Sequence, residues 1–306
     1  MTMTSFNELR KMVQSSPGHV VSVAGAGDNA VLEAIEAGLK DGLLASAYLV
    51  GDSNKIKDGL SAEALAKVNI TQADTPLDCA RLAVECVRSG DAGILMKGGV
   101  DSTNYLKAVV NRDTGLRKGG VLSNITVAEM GDTGRLLAAT DNGILPAPTL
   151  DQKRQIIINS APLFRGCGFS KVKVAAVCAT EKVSEALPAT QDAAALAKES
   201  AEGKFDLFEI GGPMGYDVAV SPEAAKKKGL DHLPAAGRAD LLLFPNIDAA
   251  NSVVKSWKYH GGARTGSIVL GATAPVLLNS RSDSAERRLD ALLLAAAVLA
   301  GEIQGR

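Results

Sequence analysis

Apolar positions along the chain fall into two rhythms, short β-branched runs and longer stretches with helical spacing. The runs at 20–24, 47–50, 92–96, 121–129, 135–140, 171–179, 207–210, 239–245, 267–271 and 275–278 predict strands, with a shorter one at 68–70. Helical periodicity predicts helices over 6–13, 30–41, 61–67, 76–89, 104–110, 150–164, 222–228 and 249–259, helical sections within 180–204, and a last helix after 284 running to 299. Strand followed by helix throughout predicts an α/β fold, mostly parallel, with helices on both sheet faces. The run 171–179 alternates too little for a half-exposed strand and reads as a central parallel one. A chain of this length suits one large domain or two medium ones. A crossing falls near the proline-stiffened stretch 144–148.

Polar or glycine-rich tips follow the strands: Lys97-Gly98, Asp141-Asn142-Gly143, Gly211-Gly212-Pro213, Asn246 and Ser280-Arg281. Open α/β sheets bind ligands at the carboxyl ends of their strands, so these tips are the candidate chemistry. Gly25-Ala26-Gly27-Asp28-Asn29 follows the first strand but lacks a third glycine and sets an acid where a pyrophosphate would approach. Asp28 therefore reads as the N-cap of the next helix. At 97–103, Lys97 with the Ser102 and Thr103 hydroxyls can contact phosphate, and Lys107 lies further along the same helix. The alternative makes Lys97 a surface charge and Ser102 a cap. After the last strand, Asn279-Ser280-Arg281-Ser282-Asp283-Ser284 precedes the final helix, and an arginine there can clamp an anion through its planar fork. The plainer alternative is an N-cap at Asp283 or Ser284 and a solvated Arg281.

Composition narrows the picture. Aromatics are 4 % against 46 % hydrophobic residues, so the core must be aliphatic. A net charge of −1 argues against nucleic acid or an anionic membrane as partner and leaves any anion to local positive groups. Cys79, Cys86, Cys167 and Cys178 have no C-x-x-C spacing and read as reduced thiols. His19, His232 and His260 form no metal-ligand pattern, so no metal is expected. With no apolar signal core and no membrane-length run, a cytoplasmic protein is expected.

Several of these motifs together resemble the phosphate acetyl/butyryl transferase family over nearly the whole chain. They are Lys97-Gly98 with Asp101-Ser102-Thr103; Thr140-Asp141-Asn142-Gly143 with Pro146-Ala147-Pro148-Thr149-Leu150; and Leu187-Pro188-Ala189-Thr190 with Asp192-Ala193-Ala194. Gly212-Pro213 with Asp217 and Ala219, the run 239–246 leading to Asn251, and Ser280–Ser284 complete the set, and the phrase 171–190 is closer to the butyryl branch. A more distant likeness joins the family to the isocitrate/isopropylmalate dehydrogenase type of fold. The resemblance implies transfer of an acyl group between coenzyme A and inorganic phosphate, with coenzyme A as substrate and no permanently bound cofactor. It also implies two α/β domains, expected as 1–135 with 285–306 and as 136–284, with the active-site cleft between them, and a homodimer or larger homo-oligomer.

For the site, the resemblance implies Ser280 and Arg281 as catalytic residues. It further implies substrate contacts from Lys97, Ser102, Thr103, Lys107, Asn142, Gly143, Gly212, Pro213, Asn246, Asn251 and Lys258. Where the acetyl enzymes carry an acid for the thiol proton, this chain has Arg287; Asp283 is the nearest carboxylate and is assigned the role, with Glu286 behind it. Lys258 and Lys107 stand in for two phosphate-side arginines and bring charge without a fork. In this reading Arg281 binds phosphoryl oxygens, Ser280 hydrogen-bonds the reacting sulfur or oxyanion, and Asp283 takes the thiol proton. Three rivals remain: a dehydrogenase of the isocitrate/isopropylmalate type, an acyl-phosphate-forming enzyme that uses acyl carrier protein, and a non-catalytic CoA-binding protein.

Overall fold

The computed structural model describes residues 3–131, 134–280 and 282–305. Two compact units divide the chain: one comprises Phe6–Gly120 and Thr265–Arg306, the other Val121–Arg264 with the N-terminal residues up to Ser5. Each is a mixed α/β unit.

The first unit opens with β1 (His19–Ala24), β2 (Leu44–Gly51), β3 (Val68–Gln72) and β4 (Ile94–Lys97). The second holds β5 (Ser123–Glu129), β6 (Leu136–Thr140), β7 (Val172–Val177), β8 (Phe208–Met214) and β9 (Leu241–Leu243). The chain then returns to the first with β10 (Arg264–Leu270) and β11 (Val276–Leu277). Strand order in the first unit is β3-β2-β1-β4-β11-β10. The chain steps outward from β1 to β3, then crosses back to lay β4 on the other side of β1, the arrangement that leaves a crevice at the carboxyl edge. All of these pairs are parallel except β10 with β11.

Burial explains the composition of these strands. The last four residues of β1 are buried, and the polar one among these four, Ser22, donates its hydroxyl to the Ala83 carbonyl of the helix Pro76–Arg88 at 3.0 Å. That helix packs against β1, β2 and β4. Asp28 caps the helix Asn29–Lys40 by accepting the Val31 N–H, as its place after β1 predicts.

In the second unit the order is β5-β6-β9-β7-β8, antiparallel only between β5 and β6. Its core is aliphatic around Leu137, Leu242 and Val254, and Trp257 directs its indole N–H to the Tyr216 hydroxyl at 2.8 Å.

Several expectations are corrected. Strand then helix does not hold throughout: β5–β6 and β10–β11 are strand-to-strand connections that pair antiparallel. β8 does not stop at Ile210 but continues through Gly211-Gly212-Pro213 to Met214. Pairing with β7 continues across them, with Gly211 opposite Ala175 and Met214 opposite Val177, and the glycine is needed because a Cβ on Gly211 would lie 1.8 Å from the Pro234 carbonyl oxygen. The helix expected over 150–164 breaks at Ser160 into Leu150–Asn159 and Ala161–Gly166, with Pro162 in the first turn of the second.

Candidate active site

In the first unit, β4 and β11 are parallel neighbours, with Leu277 opposite Met96, so the loops after Lys97 and Leu277 leave the same edge side by side. Tyr105, fully buried on the helix Ser102–Val109, ties these elements by donating its hydroxyl to the Leu277 carbonyl at 3.0 Å. Burial raises the Tyr105 pKa well above its ordinary value, which keeps it a neutral donor.

Ser280 sits in the second loop, exposed. Its N–H donates to Asp283 Oδ2 at 2.8 Å, its hydroxyl lies 3.1 Å from that of Ser282, and its carbonyl accepts the Asp283 N–H at 3.1 Å. Asp283 is buried and its Oδ2 also lies 3.5 Å from the Asn279 amide nitrogen. Ser284, not Asp283, caps the helix Ala285–Gln304, accepting the Arg287 N–H. Glu286 is exposed in its first turn. Arg281 lies outside the described residues.

Lys97 is no surface charge. It is 2 % exposed, and its Nζ turns back to the carbonyls of Val100 at 3.1 Å and Gly98 at 3.4 Å. The cap of Ser102–Val109 is Asp101, whose Oδ1 accepts the Asn104 N–H at 2.8 Å; that bond and the one from the Asn104 side chain hold its carboxyl below the usual range. Ser102 and Thr103 are therefore free of the capping duty and exposed, and Lys107 is exposed in the last turn.

Beside this loop, Gly99 and Val100 line a cavity of about 360 Å³ with residues that follow β1, β2 and β3, among them Gly25, Asp28, Asp52 and Asp74. Three carboxylates against Lys55 suit hydroxyl or amine donors better than phosphate oxygens. A Cβ on Gly98 would come within 2.3 Å of the Gly25 carbonyl oxygen, so glycine lets the two loops touch.

The second unit assembles its own set. β6 and β9 are parallel neighbours, with Thr140 opposite Leu243. Asp141, 2 % exposed, accepts N–H groups from Asn124, Gly143 and Ile144 on Oδ1 and from Leu145 on Oδ2, at 2.9–3.2 Å. Burial raises its pKa and these four donors oppose the rise. Asn142 is buried, donating to the Thr126 hydroxyl and accepting from the Asn124 amide, both at 2.9 Å, while Asn251 donates to its carbonyl at 3.0 Å. The 141–145 turn is thus held by its own side chains, with the Gly143 backbone at its surface. Asn246 caps the helix Ile247–Tyr259 by accepting the Ala249 N–H, and Lys258 stands in that helix's last turn. Gly212 and Pro213, joined by a cis peptide, lie within β8.

The structure therefore brings together Lys97, Ser280 and Asp283 in one unit and Asn142, Gly143 and Asn251 in the other. Ser102, Thr103, Lys107, Asn246, Lys258 and the Gly212-Pro213 pair stand on neighbouring elements of their own units. Sequence reasoning missed Arg288. It is 1 % exposed, and its Nη1 donates to the Lys97 carbonyl at 3.4 Å and its Nη2 to the Ser280 carbonyl at 3.2 Å. No signal in the sequence marks it, since Arg288 stands beside Glu286, Arg287 and Asp290 in the polar opening of the last helix.

Cysteine nucleophiles are poorly placed: burial pushes Cys167 up to about 12 and Cys178 up to about 11. Among the described residues, no cluster of three or more His, Cys, Asp or Glu is placed to hold a metal, and no helix is long and apolar enough to cross a membrane.

Comparison with known proteins supplies the family. The model of the phosphate acetyl/butaryl transferase family matches residues 65–296. A phosphate butyryltransferase from Clostridium beijerinckii is 38 % identical over 303 residues, covering 97 % of this chain and 98 % of its own. A phosphate acetyltransferase from Thermotoga maritima is 35 % identical over 291 residues, 94 % of this chain and 98 % of its own. The crystal structure of a branched-chain phosphotransacylase from Enterococcus faecalis superposes with a TM-score of 0.80 at 27 % identity, covering 92 % of this chain and 99 % of that one. With more than half of the chain matched by one family model, the protein belongs to the phosphate acetyl/butaryl transferase family.

Proposed function

We propose that the protein moves a short acyl group between coenzyme A and inorganic phosphate, with butyryl as the leading acyl group: butyryl-CoA + phosphate ⇌ butyryl phosphate + CoA. The observation that carries this reading is the exposed Ser280 hydroxyl on a loop pinned by Asp283 at the carboxyl end of β11, in a chain of this family. Acetyl, propionyl and branched acyl groups are the other candidate substrates, in keeping with relatives named for acetyl and for branched-chain transfer.

The reaction needs two anions aligned and a developing oxyanion stabilised. Holding the reactants in line supplies roughly 7–11 kcal/mol, and one aimed donor adds about 3–4 kcal/mol. In the direction of acyl-CoA synthesis the CoA sulfur attacks the acyl carbonyl, its proton passes to a carboxylate, and the C–O bond to phosphate breaks. Ser280 Oγ–H is the donor toward the oxyanion or sulfur, Arg281 the phosphate-binding cation, and Asp283 the acceptor of the thiol proton, with Glu286 as the alternative. An ordinary thiol pKa near 8.5 keeps the demand on that base modest at neutral pH, about one to two units. The substrate contacts assigned to the other tips, the two-domain likeness to isocitrate/isopropylmalate dehydrogenases, a homo-oligomeric state and a cytoplasmic location belong to this same proposal.

The test is phosphate-dependent release of free thiol from acetyl-, propionyl-, butyryl- and isobutyryl-CoA, read with a thiol reagent. Turnover with at least one of them, fastest in the four-carbon range, is expected. No phosphate-dependent release from any of the four would overturn the reading.

A further inference from the structure

Arg288 is placed where neither helix formation nor core packing favours it. It is the largest of the fully buried side chains, yet it carries a charge. It also stands in the first turn of Ala285–Gln304, the end at which the helix dipole opposes a cation. Burial pulls its pKa below the ordinary arginine value, against the attraction of Asp28 and Asp283. Its hydrogen bonds go to two main-chain carbonyls rather than to a carboxylate, and its Nε–H has no partner. An apolar side chain of similar volume would fill the same space without the desolvation cost.

The two carbonyls are the informative part. Lys97 ends β4 and Ser280 follows β11, and these strands run parallel and adjacent. One planar fork with separate donors spans both, a geometry that an ammonium does not reproduce. The Ser280 peptide is consequently held from both sides, by Asp283 on its N–H and by Arg288 on its carbonyl. With both peptide groups fixed, the direction of the Ser280 Cα–Cβ bond is fixed too.

We propose that Arg288 is a positioning residue for the transfer reaction, locking the Ser280 and Lys97 carbonyls in one frame so that the Ser280 hydroxyl faces the reacting group. This rests on the reading of Ser280 as the donor in acyl transfer. It assigns to a buried arginine a role that the motif Ser280-Arg281 does not contain.

A double-mutant cycle on the full chain tests it, with kcat and KM for butyryl-CoA and for phosphate measured for Ser280→Ala, Arg288→Lys and the double variant, alongside thermal unfolding. Arg288→Lys keeps the charge and loses the fork. It is expected to lower kcat by about 10- to 100-fold, as small misplacements of reacting groups do, with both KM values within about threefold of the parent's. Ser280→Ala is expected to lower kcat by about 100-fold, and the double variant to be no slower than Ser280→Ala alone. A role confined to stability would instead lower the unfolding temperature and leave kcat of the folded fraction unchanged, and that result overturns the proposal. So does a double variant slowed by the product of the single effects. Should Arg288→Lys not fold, Arg288→Gln takes its place in the same cycle with the same criteria. If Ser280→Ala turns over at the parent rate, the Ser280 assignment fails first and this proposal with it; if only the Arg288 arm fails, the assignment of Ser280 stands.

Discussion

Asp283 and Ser280 hold each other reciprocally: the Asp283 carboxylate accepts the Ser280 N–H at 2.8 Å, and the Ser280 carbonyl accepts the Asp283 N–H at 3.1 Å. One acid thus closes the loop that presents the hydroxyl, and the same acid is the one assigned to the thiol proton. The two duties separate by substitution. Asn at 283 keeps an oxygen for the Ser280 N–H but cannot take a proton. We expect Asp283→Asn to unfold near the parent temperature while kcat falls by about 100-fold or more, the usual range for losing a general base. Asp283→Ala should in addition lose about 1 kcal/mol of stability, because it leaves the part-buried Ser280 N–H without its acceptor. Full kcat in Asp283→Asn would move the base to Glu286, to be checked in Glu286→Gln.

Arg281 is predicted from the family motif to hold the phosphate. A bond to a charged group contributes about 1.5–3 kcal/mol, so Arg281→Gln should lower kcat/KM for phosphate by about 10- to 100-fold. Steady-state kinetics with phosphate varied, at saturating butyryl-CoA, give the answer. An unchanged phosphate kcat/KM would make Arg281 a solvated loop charge.

How far the sequence speaks can be judged from particular residues. Asp28 was readable as a cap because an acid between a buried strand and an amphipathic run has few other uses. The strand-end tips were readable too, since polarity changes abruptly where β4, β6 and β11 stop. Three features were hidden by competing signals. Gly211-Gly212-Pro213 carries turn chemistry, yet it stays in β8, which pairs with β7 from Gly211 opposite Ala175 to Met214 opposite Val177, and the two glycines are there because their neighbours leave no room for a Cβ. β11 is two residues long, too short to show that it pairs antiparallel with β10 while running parallel to β4. Arg288 looks like one more solvent-facing charge in the polar opening of a helix; only the contacts of its fork with two distant carbonyls reveal a buried one.

Gly98 offers a direct check on the loop after β4. With a Cβ 2.3 Å from the Gly25 carbonyl oxygen and 2.9 Å from that of Ala24, Gly98→Ala must push two strand ends apart. We expect a loss of about 1–3 kcal/mol in urea unfolding, typical of overpacking against rigid groups. Because Lys97 is the preceding residue and its carbonyl is held by Arg288, kcat should fall as well. Parent stability would mean that the two loops part without cost.

Asp141 makes the pH dependence testable. Its carboxyl is buried and its pKa raised above 3.8, so the folded protein binds this proton more tightly than the unfolded chain does. A raised folded pKa contributes stability that is fully present below the unfolded value and is lost as pH climbs through the folded one. In Asp141→Asn that titration is gone, although the amide also meets the Leu145 N–H with a donor of its own and so weakens the turn at every pH. The stability of the parent relative to Asp141→Asn, from urea unfolding at intervals between about pH 3.5 and pH 6, should therefore shrink as pH rises. A difference that grows with pH would mean that the four N–H donors outweigh burial and hold the carboxylate ionised, reversing the sign of the shift.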